Sequence, residues 1–143
     1  MAGGLARRVA GRMAGVVVLD AGALIALYDS TDPHHPWALD LFVATAGDAL
    51  IMSTLTYAEV LVRPLREGRA EKFESSISGL GITLENVSVE DARQLAGIRV
   101  VTNLKMPDAA VLAVAENIVG AIATTDASLA RAASERGVTV YRP

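Results

Sequence analysis

A chain of 143 residues with no cysteine and a net charge of −3, from thirteen basic and sixteen acidic side chains, excludes several classes of protein at the outset. Its length suits one domain with its own core, and the missing thiols rule out disulfides and thiolate metal sites and fit a reducing cytoplasm. The acidic balance is not that of a protein that coats nucleic acid by charge alone, and every apolar stretch is interrupted before it reaches membrane-spanning length.

Residues 1–15, MAGGLARRVAGRMAG, carry Arg7, Arg8 and Arg12 with no continuous apolar segment after them. They make a poor secretory signal and read as a loose basic tail, with Met13 as an alternative start and a single domain over 16–143. Short β-rich runs follow at 16–20 (VVVLD), 49–53 (ALIMS), 82–87 (ITLENV), 121–125 (AIATT) and 138–141 (VTVY). Helical patterns fill 21–29, 36–46, 55–66, 69–79, 89–103, 107–119 and 127–136. Such alternation marks βα units and predicts a three-layer α/β/α fold around a central parallel five-stranded sheet. Gly47, Gly68, Gly81, Gly120 and Gly137 end helical patterns as C-terminal caps would. DSTDPHHP at 29–36 is the clearest turn.

Four carboxylates stand out, each with a plain structural reading. Asp20 and Asp126 follow the first and fourth strands, where aspartate is a preferred N-cap, and taken singly each reads as a cap. Asp108 follows Pro107 in the first turn of a helix, where the dipole favours an acid. Val111, Leu112, Ala115 and Val119 surround its direction, however, so it points from the middle of an apolar face. Glu59 lies at the edge of an expected buried stripe of Leu55, Ala58, Val62 and Leu65; judged alone, it is as well explained as a surface glutamate.

Together they read differently. Sites in open parallel sheets form beyond the carboxyl ends of strands where strand order reverses, so neighbouring first and fourth strands would bring Asp20 and Asp126 into one crevice. Glu59 and Asp108 would complete a cluster of like charges that resist ionising together, a conflict a divalent cation relieves. With oxygen donors alone, Mg²⁺ or Mn²⁺ is expected rather than zinc.

The segments VVVLDAGALIALYD, STLTYAEVLVRPL, KMPDAAVLAVAE and AIATTDASLARAA resemble, in order and spacing, the four acidic motifs of PIN-domain ribonucleases, and the small size resembles the VapC toxins of toxin–antitoxin pairs. The resemblance implies Asp20, Glu59, Asp108 and Asp126 as the acids of an Mg²⁺ site and Thr124, in Thr-x-Asp, as a supporting hydrogen-bonding residue. It also implies an RNA substrate cut to leave a 5′-phosphate and a 3′-hydroxyl, a homodimer, and a small antitoxin whose tail blocks the cleft. The basic tail departs from the family pattern, which begins close to the first strand.

Other features read more plainly. His34, His35, Asp29 and Asp32 are expected in an exposed turn, and Arg63, Arg66, Arg69 and Lys72 on a solvated face, with RNA phosphate as the sharper alternative. Trp37 and 39–43 are expected to bury an amphipathic face, or to offer a groove to an antitoxin helix. A phosphatase of the haloacid dehalogenase type needs a second aspartate two residues after the first, where Gly22 stands. A response-regulator receiver needs an acidic pair at Leu19–Asp20, an aspartate near Asn86 and a lysine near Val140, and has none of them. A non-catalytic PIN-like binding module predicts a missing acid, and all four are present.

Overall fold

Alternation within the first strand sets the layers. In the computed structural model, which describes residues 15–143, strand β1 (Val16–Leu19) sends Val17 and Leu19 to one face of the sheet and Val18 to the other, as the two-residue period of a strand requires. Strands β2 (Ala49–Ser53), β3 (Thr83–Glu85), β4 (Ala121–Ala123) and β5 (Val140–Tyr141) join it in the order β3-β2-β1-β4-β5, with every pairing parallel. This is the predicted sheet, with first and fourth strands adjacent. The expected basic tail lies, apart from Gly15, outside the described residues.

On the Val17/Leu19 face pack helices α1 (Ala21–Tyr28) and α2 (His35–Ala44), through Ala23, Leu41 and Ala44. Opposite, Val18 and Ile122 meet α5 (Ala92–Thr102), α6 (Met106–Ile118) and α7 (Ala127–Glu135), through residues such as Leu95, Leu112 and Leu129. Helices α3 (Thr54–Arg66) and α4 (Ala70–Gly79) bury Val60, Phe73 and Ile77 against Leu24 and Met52. Among the described residues, no helix is long and apolar enough to cross a membrane.

Three expectations need correction. The buried positions of α3 are Thr56, Val60 and Pro64, whereas Ala58, Val62 and Leu65 are exposed. The helix is turned by its start: Ser53 Oγ accepts from the Thr56 backbone N–H at 3.2 Å and draws that polar residue inward. Second, Gly47 and Gly120 are not left-handed caps, unlike Gly68, Gly81 and Gly137; Asn103 and Val119 take that conformation instead. Gly120 serves a close approach, because a Cβ there would lie 3.2 Å from the Val16 carbonyl oxygen. Third, α6 ends at Ile118, so Val119 leaves the apolar face and stands 91% exposed.

Val119 therefore combines a β-branched side chain with a φ of 54° and no burial to offset the strain. A left-handed L-residue costs about 1–2 kcal/mol, and glycine returns part of that gain as chain entropy. Val119→Gly is expected to raise stability by about 0.5–1 kcal/mol, read as an upward shift of the thermal midpoint by a few degrees. A downward shift would show that Val119 is held by a contact rather than strained.

Candidate active site

The site grows from two strand ends. Beyond β1, the Asp20 N–H donates to the Ala123 carbonyl at 3.0 Å, which carries the β1–β4 ladder one residue further before α1 begins. Asp20 is 5% exposed; its Oδ1 accepts from Ala21 N–H at 2.8 Å and its Oδ2 from the Thr124 hydroxyl at 2.6 Å. Thr124, fully buried past the end of β4, uses the same hydroxyl to accept from Asp126 N–H at 2.9 Å. One threonine thus ties both strand-end aspartates together. Asp126 caps α7 through an Oδ1 bond to Leu129 N–H at 2.9 Å, while its other oxygen accepts no hydrogen bond among the described residues. Capping and site membership are compatible for both aspartates, because a cap occupies only part of a carboxylate.

Glu59 on α3 and Asp108 on α6 face the same cleft without accepting a hydrogen bond among the described residues. Desolvation raises the Glu59 carboxyl first, with the Asp20 charge second and Lys105 opposing. Asp108 is half-buried in the first turn of α6, and its carboxyl is pushed up to about 6 by desolvation and then by Asp20, Asp126 and Glu59, against the pull of Lys105. Burial also raises Asp20, the bonds from Thr124 and Ala21 oppose it, and the Asp126 charge adds to it. Asp20, Glu59 and Asp108 therefore each feel at least one other acid of the set. Asp108 feels all three.

This arrangement suits a hydrated divalent cation. Among the described residues no three carboxylates already stand close enough to enclose an ion, so the set is a convergence of negative charge rather than a closed shell. The donors are all oxygen, and among the described residues Glu59, Asp108 and one oxygen of Asp126 are free of hydrogen bonds, which fits Mg²⁺ with its retained waters and few protein ligands. Asp108 and Asp126 also line a cavity of about 710 Å³ that runs between the α5–α6 connection and α7. A second cavity, about 440 Å³, lies at the opposite edge of the sheet, beside Val16 and Gly120.

Other expected positions fall elsewhere. Asp29 and Asp32 close turns onto the Thr31 and His34 backbone N–H groups, and His35 opens α2 with its Nδ1 2.7 Å from the Ala26 carbonyl. Arg63 pairs with Glu67 at 2.7 Å and Arg69 with the same carboxylate at 3.3 Å, so both are committed within the surface. At Gly22 a side chain would collide with the Thr125 hydroxyl, which leaves no space for the second aspartate of a haloacid-dehalogenase site. Lys105 escaped the sequence reading. Its position three residues before Asp108, next to Met-Pro, was the available signal.

Fold and cleft define an α/β domain in which four carboxylates converge where strand order reverses. The family model of the PIN domain matches residues 17–135, and the chain belongs to the PIN domain family. Solved structures agree in fold. A toxin–antitoxin complex from Klebsiella pneumoniae is 24% identical, over 77% of this chain and 86% of that one, with a TM-score of 0.62. VapC20, a sarcin–ricin loop cleaving toxin of Mycobacterium tuberculosis, is 18% identical over 89% and 99%, with a TM-score of 0.73. FitAcB from Neisseria gonorrhoeae is 22% identical over 87% and 96%, with a TM-score of 0.68. No curated protein sequence matches this one.

Proposed function

We propose that the protein is a Mg²⁺- or Mn²⁺-dependent endoribonuclease and the toxin of a toxin–antitoxin pair. The observation that carries the reading is the meeting of Asp20, Glu59, Asp108 and Asp126 at one edge of the sheet, with Asp108 raised to about 6 by burial and then by the other three. Asp20, Glu59, Asp108 and Asp126 are the residues that would hold the ion. A bound Mg²⁺ supplies a more acidic water and neutralises charge on the scissile phosphate. Thr124 orients Asp20 and steadies the Asp126 backbone, and so acts as a positioning residue. Burial of Asp20 limits its motion and keeps one carboxylate in a set place while the more exposed Glu59 and Asp126 adjust around it.

Partners follow from the surface. Helix α2 buries Ala38, Leu41 and Ala44 but leaves Leu39 and Val43 47% and 77% exposed, while Val62 and Leu65 of α3 are also uncovered. Apolar surface of this kind marks protein interfaces, and it supports both an antitoxin partner and a homodimer. The names of two of the solved relatives support a toxin role, one a toxin–antitoxin complex and the other an RNA-loop cleaving toxin.

The test is cleavage of total RNA by the full chain freed of bound protein, with Mg²⁺ or with chelator, followed by mapping of the ends. The expected result is chelator-sensitive cuts that leave a 5′-phosphate and a 3′-hydroxyl. Intact RNA in both arms would favour a PIN-like module that only binds a partner.

A further inference from the structure

A cleft built from four carboxylates repels the polyanion it is read to cut, so cations close by and not already neutralised must seat the strand. Arg136 touches the 710 Å³ cavity but is engaged by Glu116 through two bonds of 2.9 and 3.0 Å. Lys105 and Arg131 line the same cavity as Asp108 and Asp126, and both are exposed. Among the described residues neither forms a hydrogen bond through its side chain or an ion pair. Lys105 is firmly mounted. Asn103 adopts the left-handed turn that ends α5, Leu104 is buried with its carbonyl held by Arg99 Nε at 2.7 Å, and the Lys105 carbonyl accepts the Ala109 N–H at 2.9 Å as α6 begins. Arg131 projects from α7, five residues after Asp126.

We propose that Lys105 and Arg131 are the phosphate-binding pair of this cavity and seat single-stranded RNA on the Asp108–Asp126 side of the cleft. The proposal rests on the nuclease reading above and adds the direction in which the strand leaves the acids. Lys105 supplies a point charge beside Asp108 and Glu59, where repulsion of phosphate is greatest. Arg131 supplies a planar fork that matches phosphate oxygens in pairs. Neither group reads bases, so the pair positions the strand and leaves sequence choice to other contacts.

Fluorescence anisotropy of a labelled twelve-nucleotide single-stranded RNA of mixed sequence, with the full chain in chelator so that no cleavage occurs, tests this over a series of KCl concentrations. Each phosphate contact on a single strand contributes about 0.7 to the slope of log affinity against log salt. Lys105→Gln and Arg131→Gln should each flatten the slope by about 0.7, and together by about 1.4, while Arg66→Gln on α3 leaves it unchanged. Wild-type binding with a normal salt slope that both cavity variants retain would overturn the proposal and leave the nuclease reading standing. A wild type that binds this RNA at no salt concentration would remove the nuclease reading, and the proposal with it.

Discussion

Asp108→Asn should abolish RNA cleavage and at the same time make the metal-free protein more stable. Its carboxyl sits at about 6 because folding places a half-buried charge opposite three others. A raised carboxyl binds its proton more tightly in the folded state than in the unfolded chain, where the ordinary value is 3.8. Folding is therefore not penalised below about 4; stability drains away as pH rises from about 4 to 6, and the full penalty stands at neutral pH. The whole shift corresponds to about 3 kcal/mol, and solvent screening at a half-exposed group reduces it to about 1 kcal/mol. Asparagine keeps size while removing the charge, so in chelator the variant should melt higher at pH 7 and match the wild type near pH 4. With millimolar Mg²⁺ the order should reverse, since an ion that binds only the folded state stabilises in proportion to its affinity and the variant has lost a ligand. If Asp108 were simply a favourable first-turn charge, the variant would instead be less stable by about 0.3–1 kcal/mol with or without metal. Four melts, two proteins each with chelator and with Mg²⁺, separate the cases.

Thr124→Val should have the largest effect on folding. The substitution keeps shape but deletes a hydroxyl that donates to buried Asp20 at 2.6 Å and accepts from Asp126 N–H at 2.9 Å. Asp20 would then keep only the Ala21 N–H bond in a position that is 5% exposed. Loss of a hydrogen bond to a charged group costs about 1.5–3 kcal/mol, with a further contribution from the unpaired amide. A fall of about 2–4 kcal/mol in urea unfolding is expected at neutral pH. Thr124→Ser, which retains the hydroxyl, should recover most of it. In acid the gap should narrow, because the lost bond favours the ionised form of Asp20. A valine variant as stable as wild type would show that water replaces the hydroxyl.

Much of this was legible because the decisive residues sit where backbone geometry is most constrained. Asp20 follows its apolar strand run directly and Asp126 follows its own after Thr124 and Thr125, so their place at the carboxyl ends of strands came from the alternation of elements. Asp108 was legible from its phase with Val111, Leu112 and Ala115, all buried. Glu59 was harder. Its helix buries Thr56 and Pro64 and exposes Val62 and Leu65, the reverse of what hydropathy suggests, because the Ser53 cap sets the rotation. The expected strands at 82–87 and 138–141 exceed the observed ones, since pairing stops at three and two residues while the apolar pattern runs on. Lys105 carries little signal of its own in the sequence; its meaning depends on a cavity that only the folded chain creates.

The Thr124–Asp20 bond joins residues 104 positions apart, across the boundary between the two central strands. Loops of that length close late, after local helices have formed, and they weigh on folding speed more than on final stability. The first strand and its aspartate leave the ribosome well before the partner hydroxyl and Asp126, which follow about a hundred residues later. A growing polypeptide thus carries its acids in separate pieces, and the cluster comes into being only when the last strands dock. The repulsion that Asp108 feels from the other acids is thus a cost met late in folding, once β4 has docked beside β1.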